Sequence, residues 1–543
     1  MPSSMLCIFR PARLAAALLA ALTATAIAHR GALAAELPIA PKTFDTSYAA
    51  PSGKTLTVAT GGNLQAALDQ AELGDTIVLE AGASFTGPFK LPNKTGNGWI
   101  YVVSSKLASL PAAGQRVGPN NGVDMPKIVS RPYNSALTTI ANSHHFRFVG
   151  IEFAPVAGGA LYNLVVIGNV EPSPEMLPHH IIFDRCYVHG NPAVNVRRGI
   201  VMNGAYVAVV DSYISDFQEV GADSQGLIAW NATGPLQIRN NYIEGAGENV
   251  MFGGADSRAP TLVPADIEIS NNYFFKPLSL IPTKYSVKNL LEFKAAHRVR
   301  VAGNVFENNP LKAQNGFAIL VTPRNQSGSA PWSGTSDIAI TDNVVINVGS
   351  GFNVLGADNI HPSLPTERIL IRNNVIGVTG LNRADGRSFQ FTGGGTDYTI
   401  DHNTVINTAS PPGSPASDLV MAASKGSKIK NFVFTNNLST RTHWGFYGNA
   451  LGEGTPALND NFTNWTFSKN VLVGAPAGIY PAGNFFPPDV AAVRFADHAA
   501  GNYTLAADSP FKNAGTDGTD IGANGAPATK AMLPNPPTNV VVK

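Results

Sequence analysis

Cysteine is almost absent: Cys7 and Cys186 are the whole complement of a 543-residue chain. Two thiols, one of them close to the amino terminus, build neither a disulfide framework nor a cysteine metal cluster. Cys186 therefore reads as a small buried hydrophobe. Charge is scarce as well. Only 14% of residues are Asp, Glu, Lys or Arg, and 38 basic against 37 acidic side chains leave a formal net charge of +1. That balance gives no footing for nucleic acid or an anionic membrane as the main partner. Long apolar runs are missing except near the start, where Leu14 to Ala28 is rich in Ala and Leu. At roughly 15 residues this run is short of the ~20 that a membrane helix needs. Arg10 and Arg13 precede it, and Ala-x-Ala sites follow at Ala26-Ile27-Ala28 and Ala32-Leu33-Ala34. Residues 1–34 are thus expected to be a secretory signal peptide, and the mature chain to be secreted or periplasmic, with no membrane span.

What the chain does have is Gly (53 residues), Pro (39) and a 44% apolar content. This composition suits many short strands and frequent turns around a large core. A repeat organises them. Leu236-Gln-Ile-Arg-Asn-Asn241-Tyr-Ile is followed by Ile267-Glu-Ile-Ser-Asn-Asn272-Tyr-Phe and Val299-Arg-Val-Ala-Gly-Asn304-Val-Phe. The same pattern recurs around Asn343, Asn374, Asn403, Asn437 and Asn470. Earlier segments at Phe146, Ile181 and Val207 keep the alternation without the Asn. Each unit is an alternating strand, a polar turn and a second apolar pair, so one face of each strand is buried.

The units recur every ~25–40 residues, which exceeds one bare coil of a solenoid and leaves room for loops at a corner. The predicted fold is all-β: a single right-handed parallel β-helix over residues 35–530, followed by a Pro-rich tail over 531–543. Stacked coils would place equivalent Asn residues about 4.8 Å apart, close enough for a hydrogen-bonded ladder, with Asn also tolerating a left-handed turn. Asn63 to Leu73 has helical apolar spacing with Asn63 as the N-cap, which predicts a capping helix over the first coil. Thr76 to Leu79 reads as the next strand, and Asp508 to Ala523 as the closure of the far end.

The cap helix, the Asn-marked coils and the GTDGTDIGA ending resemble bacterial proteins of the pectin-lyase-like β-helix superfamily. The resemblance implies a carbohydrate-active surface on the side of the helix, and it covers nearly all of the mature chain. The Asp-Asp, GHG and RIK motifs of its polygalacturonases, and the RxPxxR motif of its best-known pectate lyases, do not occur in this chain. A partial likeness is to the alginate lyase and chondroitinase B group, which uses a Lys on one coil and an Arg on the next, often beside calcium held by acidic residues. Lys294 in Leu290-Leu-Glu292-Phe-Lys294 and Arg324 in Thr322-Pro-Arg324 have that order, although Phe293 stands where those lyases have Asn.

The resemblance implies Lys294 as base and Arg324 as the group that stabilises the substrate carboxylate. Four segments beginning Arg198-Gly, Gln225-Gly, Glu248-Asn and Lys288-Asn align as one column on successive coils, a candidate substrate stripe. Asp223, Glu244 and Asp256, with Glu219 nearby, are candidate ligands for calcium, which takes several oxygen donors in flexible geometry. Trp230 and Trp332 are candidate sugar-stacking rings. The function expected is a monomeric polysaccharide lyase acting on a uronic-acid glycan. A non-catalytic glycan-binding protein, or a glycoside hydrolase using Glu244 and Glu248, stands as the alternative.

Overall fold

The computed structural model describes residues 35–409, 417–424, 426–449 and 451–525. The expected signal peptide and Pro-rich tail lie outside them.

Strand alternation becomes three long sheets wound by one chain. Sheet 1 has 14 strands, and sheets 2 and 3 have 13 each. Successive members of each sheet come from successive coils, so the pairing is parallel throughout except for a short edge hairpin in sheet 3. This is a right-handed parallel β-helix. The inward residues form one continuous apolar column, from Val58 and Leu68 at the amino-terminal end to Phe467 and Leu472 at the other.

The Asn ladder is present and buried from Asn241 to Asn470. Nδ2 of Asn241 donates to Oδ1 of Asn272 at 3.0 Å, Asn272 to Asn304 at 2.9 Å, and Asn304 to Asn343 at 2.9 Å. It runs on through Asn374, Asn403, Asn437 and Asn470 to Asn484. The left-handed residue, however, is the one before each ladder Asn: Asn240, Asn271, Gly303, Asp342 and Asn373 have φ between 54° and 68°. The split has a physical reason. Turning the corner needs positive φ at an exposed position, whereas the ladder amide must point inward to serve both its neighbours.

The amino-terminal helix is Leu64–Gln70, capped by Asn63, whose side chain accepts from the Ala66 N–H at 3.0 Å. It leads into the strand Thr76–Leu79 as expected. Ahead of it, residues 39–49 cross the outside of sheet 1. The N–H of Ile39 donates to Asp337, the N–H of Lys42 to Asp266, and Arg147 donates to the carbonyls of Thr46 and Ser47.

The far end departs from expectation. Residues 508–525 do not plug the cylinder. Phe511 and Ile521 pack outside sheet 2 on Leu438 and Val471, and the segment runs back along the turn corner at Asn436, Thr404 and Asn373. A short helix, Thr455–Asn461, buries Ala457 and Leu458 in the core near the last coils instead. DSPFKNAGTDGTDIGA offers only Phe511 and Ile521 as large apolar groups, enough for a side seam and too few for a plug.

Loops also enter differently from the single corner expected. The corner between sheets 1 and 2 carries one long connection, 105–126, and is tight from the strand His144–Val149 onward, while long connections flank sheet 3: 276–290 before it, and 253–264, 322–334 and 356–366 after it. Sheet 3 is therefore walled on both sides. Among the described residues, no helix is long and apolar enough to cross a membrane.

Candidate functional site

The outer face of sheet 3 carries the charged column. Arg198 in the strand Val196–Met202, Gln225 in Gln225–Ala229 and Glu248 in Glu248–Phe252 are backbone partners on adjacent coils. Their side chains form a chain: Arg198 Nε donates to Gln225 Oε1 at 3.1 Å, and Gln225 Nε2 donates to Glu248 Oε2 at 2.7 Å. Lys288 does not continue the register. Val250 pairs with Leu291, which brings Asn289 level with Glu248. The loop 276–290 delivers Lys288 one residue early, yet its ammonium still lies 3.9 Å from Glu248 Oε1 and is bonded to Asp223.

Glu292 and Lys294 complete the cluster from the next coil. Lys294 Nζ stands 3.7 Å from Glu292 Oε1, which also accepts from Thr322 Oγ1 at 3.2 Å. Glu248 and Glu292 are buried, and Glu248 Oε1 and Glu292 Oε2 have no hydrogen-bond partner. Burial, then the nearby Glu292 charge, push the Glu248 carboxyl up to about 7. Burial works against charge on Lys288, but Glu248 and Asp223 outweigh it and hold that ammonium above its ordinary value. The side chains of Lys288 and Lys294 are 16% and 15% exposed, over the Glu248 and Glu292 carboxyl groups at 0% and 3%, and Asp223, 36% exposed, reaches solvent beside Lys288. Glu292 was legible only as a letter between Leu291 and Phe293, because nothing in the string says that it shares Glu248's face.

Arg324 follows Lys294 by one coil, and its N–H donates to the Lys294 carbonyl at 2.8 Å. Its guanidinium binds Asp358 and Asn359. The pair expected from the resemblance therefore sits on neighbouring coils at the same edge of sheet 3, with the Arg held in place by the loop 356–366.

The acidic residues expected to hold calcium do not share a site. Asp223 is the ion-pair partner of Lys288. Asp256 caps a loop, accepting from the N–H of Ser327 and from the N–H and Oγ of Ser329. Glu244 lies with the tyrosines outside sheet 2, bonded to the Tyr242 hydroxyl. Burial, then the Asp216 charge, push its carboxyl up to about 8, and its place among the tyrosines separates it from Asp223 and Asp256. Glu219 pairs with Arg197. These residues do not fit a calcium ion, and no step is assigned to one. Glu244 is likewise no partner for Glu248 in a hydrolase pair.

Two features escaped the sequence. Lys276 is fully buried, and its ammonium donates to the carbonyls of Gly245 (2.7 Å) and Gly247 (2.8 Å) and to Asn249 Oδ1 (2.9 Å). It holds the turn that presents Glu248, and burial pulls its pKa below the ordinary lysine value. Tyr162, 51% exposed, lies under the guanidinium groups of Arg197 (4.3 Å) and Arg198 (4.9 Å). Trp230 is buried against Val201, Ile228 and Met251, with Arg198 over its ring at 5.3 Å. Trp332 donates to Ser257 Oγ in the loop wall.

No family model matches the sequence, and no curated protein sequence matches it. Similar solved structures are an alginate lyase from Paenibacillus sp. str. FPU-7, 14% identical over 80% of this chain and 98% of that one, with a TM-score of 0.28. The PL6 family alginate lyase AlyGC is 14% identical over 87% of this chain, with a TM-score of 0.47; this chain spans 59% of its length. The pectate lyase Pel9A is 14% identical over 87% of this chain and 96% of that one, with a TM-score of 0.34. The fold assignment itself rests on this chain's own strand order.

Proposed function

We propose that the protein is a secreted polysaccharide lyase that cleaves a uronic-acid-containing glycan by β-elimination on the outer face of sheet 3. The observation that supports this reading is the layered cluster: accessible Lys288 and Lys294 over buried Glu248 and Glu292, between loop walls. Accessible cations suit an anionic sugar, and the buried carboxylates keep the ammonium groups in place without repelling substrate. Lys294, once it has given its own proton to solvent, takes the C5 proton as the free amine, while Lys288 remains cationic. The C5–H electrons form the C4=C5 bond, the C4–O bond breaks, and the leaving oxygen receives a proton, which Lys294 can return. Arg324, released from Asp358 by the competing uronate, neutralises the carboxylate and stabilises the charge that develops at C5. The column Arg198–Gln225–Glu248 with Tyr162 extends the surface by three to four coils, roughly 15–20 Å at ~4.8 Å per coil.

The test is ultraviolet absorbance of the new C4=C5 bond with alginates, pectins and glycosaminoglycans as substrates, run with and without calcium. Lys294→Ala and Arg324→Ala are expected to abolish the signal while retaining the far-ultraviolet dichroism of the fold. No absorbance on any anionic glycan would reject the lyase. One observation favours a binding-only protein: Lys288, Arg197 and Arg324 already have acidic partners. That reading predicts glycan retention without turnover, lost on changing Glu248 and Lys288 together.

A further inference from the structure

On a different face, outside sheet 1, two His-His dipeptides lie one above the other. His144 and His145 open the strand His144–Val149, and His179 and His180 open His179–Asp184. His179 pairs with His144 in register, so the second histidines are level as well. His145 and His180 both adopt left-handed backbone, φ 57° and 55°, which aims their rings alike. The His144 and His179 rings stack at 4.9 Å and 1°, and those of His145 and His180 at 4.3 Å and 5°. One ring nitrogen from each of His145, His179 and His180 lies within 4.8 Å of the other two, and all three side chains are partly accessible.

Hydrogen bonding leaves lone pairs on this cluster. His144 Nε2 lies 2.7 Å from the Lys94 carbonyl, so it carries the proton and donates. Neutral His144 then has its lone pair on Nδ1, 2.8 Å from His145 Nδ1, which must be the donor. His145 Nε2 is left with a free lone pair. His179 Nδ1 and His180 Nδ1 also lie 2.8 Å apart, so the ring that donates keeps a lone pair on Nε2 and the one that accepts carries a proton there, which a metal ion would have to displace. Trp99, at 5.0 Å from the His145 ring and 6.2 Å from that of His180, and Tyr206, stacked on His180 at 4.3 Å, flank the group with apolar faces.

We propose that His145, His179 and His180 form a binding site for a divalent transition-metal ion. An all-imidazole set suits Zn2+, Cu2+ or Ni2+ and does not suit calcium or magnesium, which take oxygen. Bonds of about 2.1 Å to a tetrahedral ion bring ligand nitrogens to roughly 3.4 Å, so binding requires the stacked His145 and His180 rings to swing out of parallel until their in-plane lone pairs converge. A bound ion would tie two adjacent coils together.

The experiment is calorimetric titration of the untagged, chelator-stripped chain, lacking residues 1–34, with ZnCl2 and with CuCl2. One ion per chain is expected. His145→Gln, His179→Gln and His180→Gln should each weaken binding at least about tenfold, and His498→Gln, at an exposed distant position, should change nothing. Absence of binding in the parent chain, or equal binding by the triple variant, overturns the proposal. Should a variant fail to fold, paramagnetic resonance of Cu2+ on the parent chain decides. Splitting from three imidazole nitrogens supports the site, and a spectrum without nitrogen coupling overturns it.

Discussion

Glu244→Gln isolates a single buried carboxyl. The folded chain holds this proton until about pH 8, whereas an unfolded chain releases it near 4.5. Between those values the folded state binds more protons than the unfolded one. Its stability is therefore full below pH 4.5 and declines as pH rises towards 8, by about 1.4 kcal/mol for each unit of pH. Across the window from 4.5 to about 8 the loss amounts to roughly 4–5 kcal/mol. An amide in the same place still accepts from the Tyr242 hydroxyl and has no proton to lose, so the variant should lack this decline. The assay is urea unfolding of both proteins at intervals from pH 4.5 to 8.5. The variant should gain on the parent steadily across the series and exceed it above pH 8. Parallel pH profiles would refute the assignment of a neutral Glu244.

Asn304→Ala deprives the Asn272 N–H and Nδ2 of their acceptor and the Ile269 carbonyl of a donor. Asn272 Nδ2 keeps its bond to the Ile238 carbonyl, so two buried groups lose a partner outright, and at ~1–3 kcal/mol each the cost is about 2–6 kcal/mol, read as a lowered urea midpoint. Arg147→Met removes the 2.7 Å partner of the fully buried Asp184, which keeps Arg185 at 2.9 Å, and frees the carbonyls of Thr46 and Ser47. A loss of about 1–3 kcal/mol is expected, together with faster proteolysis between residues 39 and 49. Tyr162→Ala should raise KM about threefold at unchanged kcat on whichever glycan is cleaved, because a stacking ring remote from Lys294 contributes ~0.5–1 kcal/mol of uniform binding. An effect on kcat alone would place Tyr162 in the chemistry instead.

The solenoid was legible because its determinants are local and repeated. Alternation around Ile238, Ile269 and Val301 sets which side of each strand is buried, and recurrence of Asn272, Asn304 and Asn343 sets the stacking direction. The helix after Asn63 was legible for the same reason, since its cap lies three residues from the amide that it receives. The site was legible only in part. Arg198, Gln225 and Glu248 could be aligned because their strands have equal starts, whereas Lys288 slipped by one residue where the loop 276–290 intervenes. Asp223, Glu244 and Asp256 looked alike as letters near a stripe. Their separation into an ion pair, a neutral carboxyl and a loop cap follows from partners 65, 2 and 71–73 residues away.

By itself, then, the sequence determined the β-helix, the ladder corner and the amino-terminal cap, each set by contacts within a coil or between equivalent positions of neighbouring coils. Tertiary structure alone decided that loops wall sheet 3, that Glu292 joins Glu248 beneath Lys288 and Lys294, and that residues 508–525 run along the side. Those outcomes depend on where irregular connections return after leaving the repeat. Periodicity carries no information about that path, because a connection's course is set by what it packs against rather than by its own spacing.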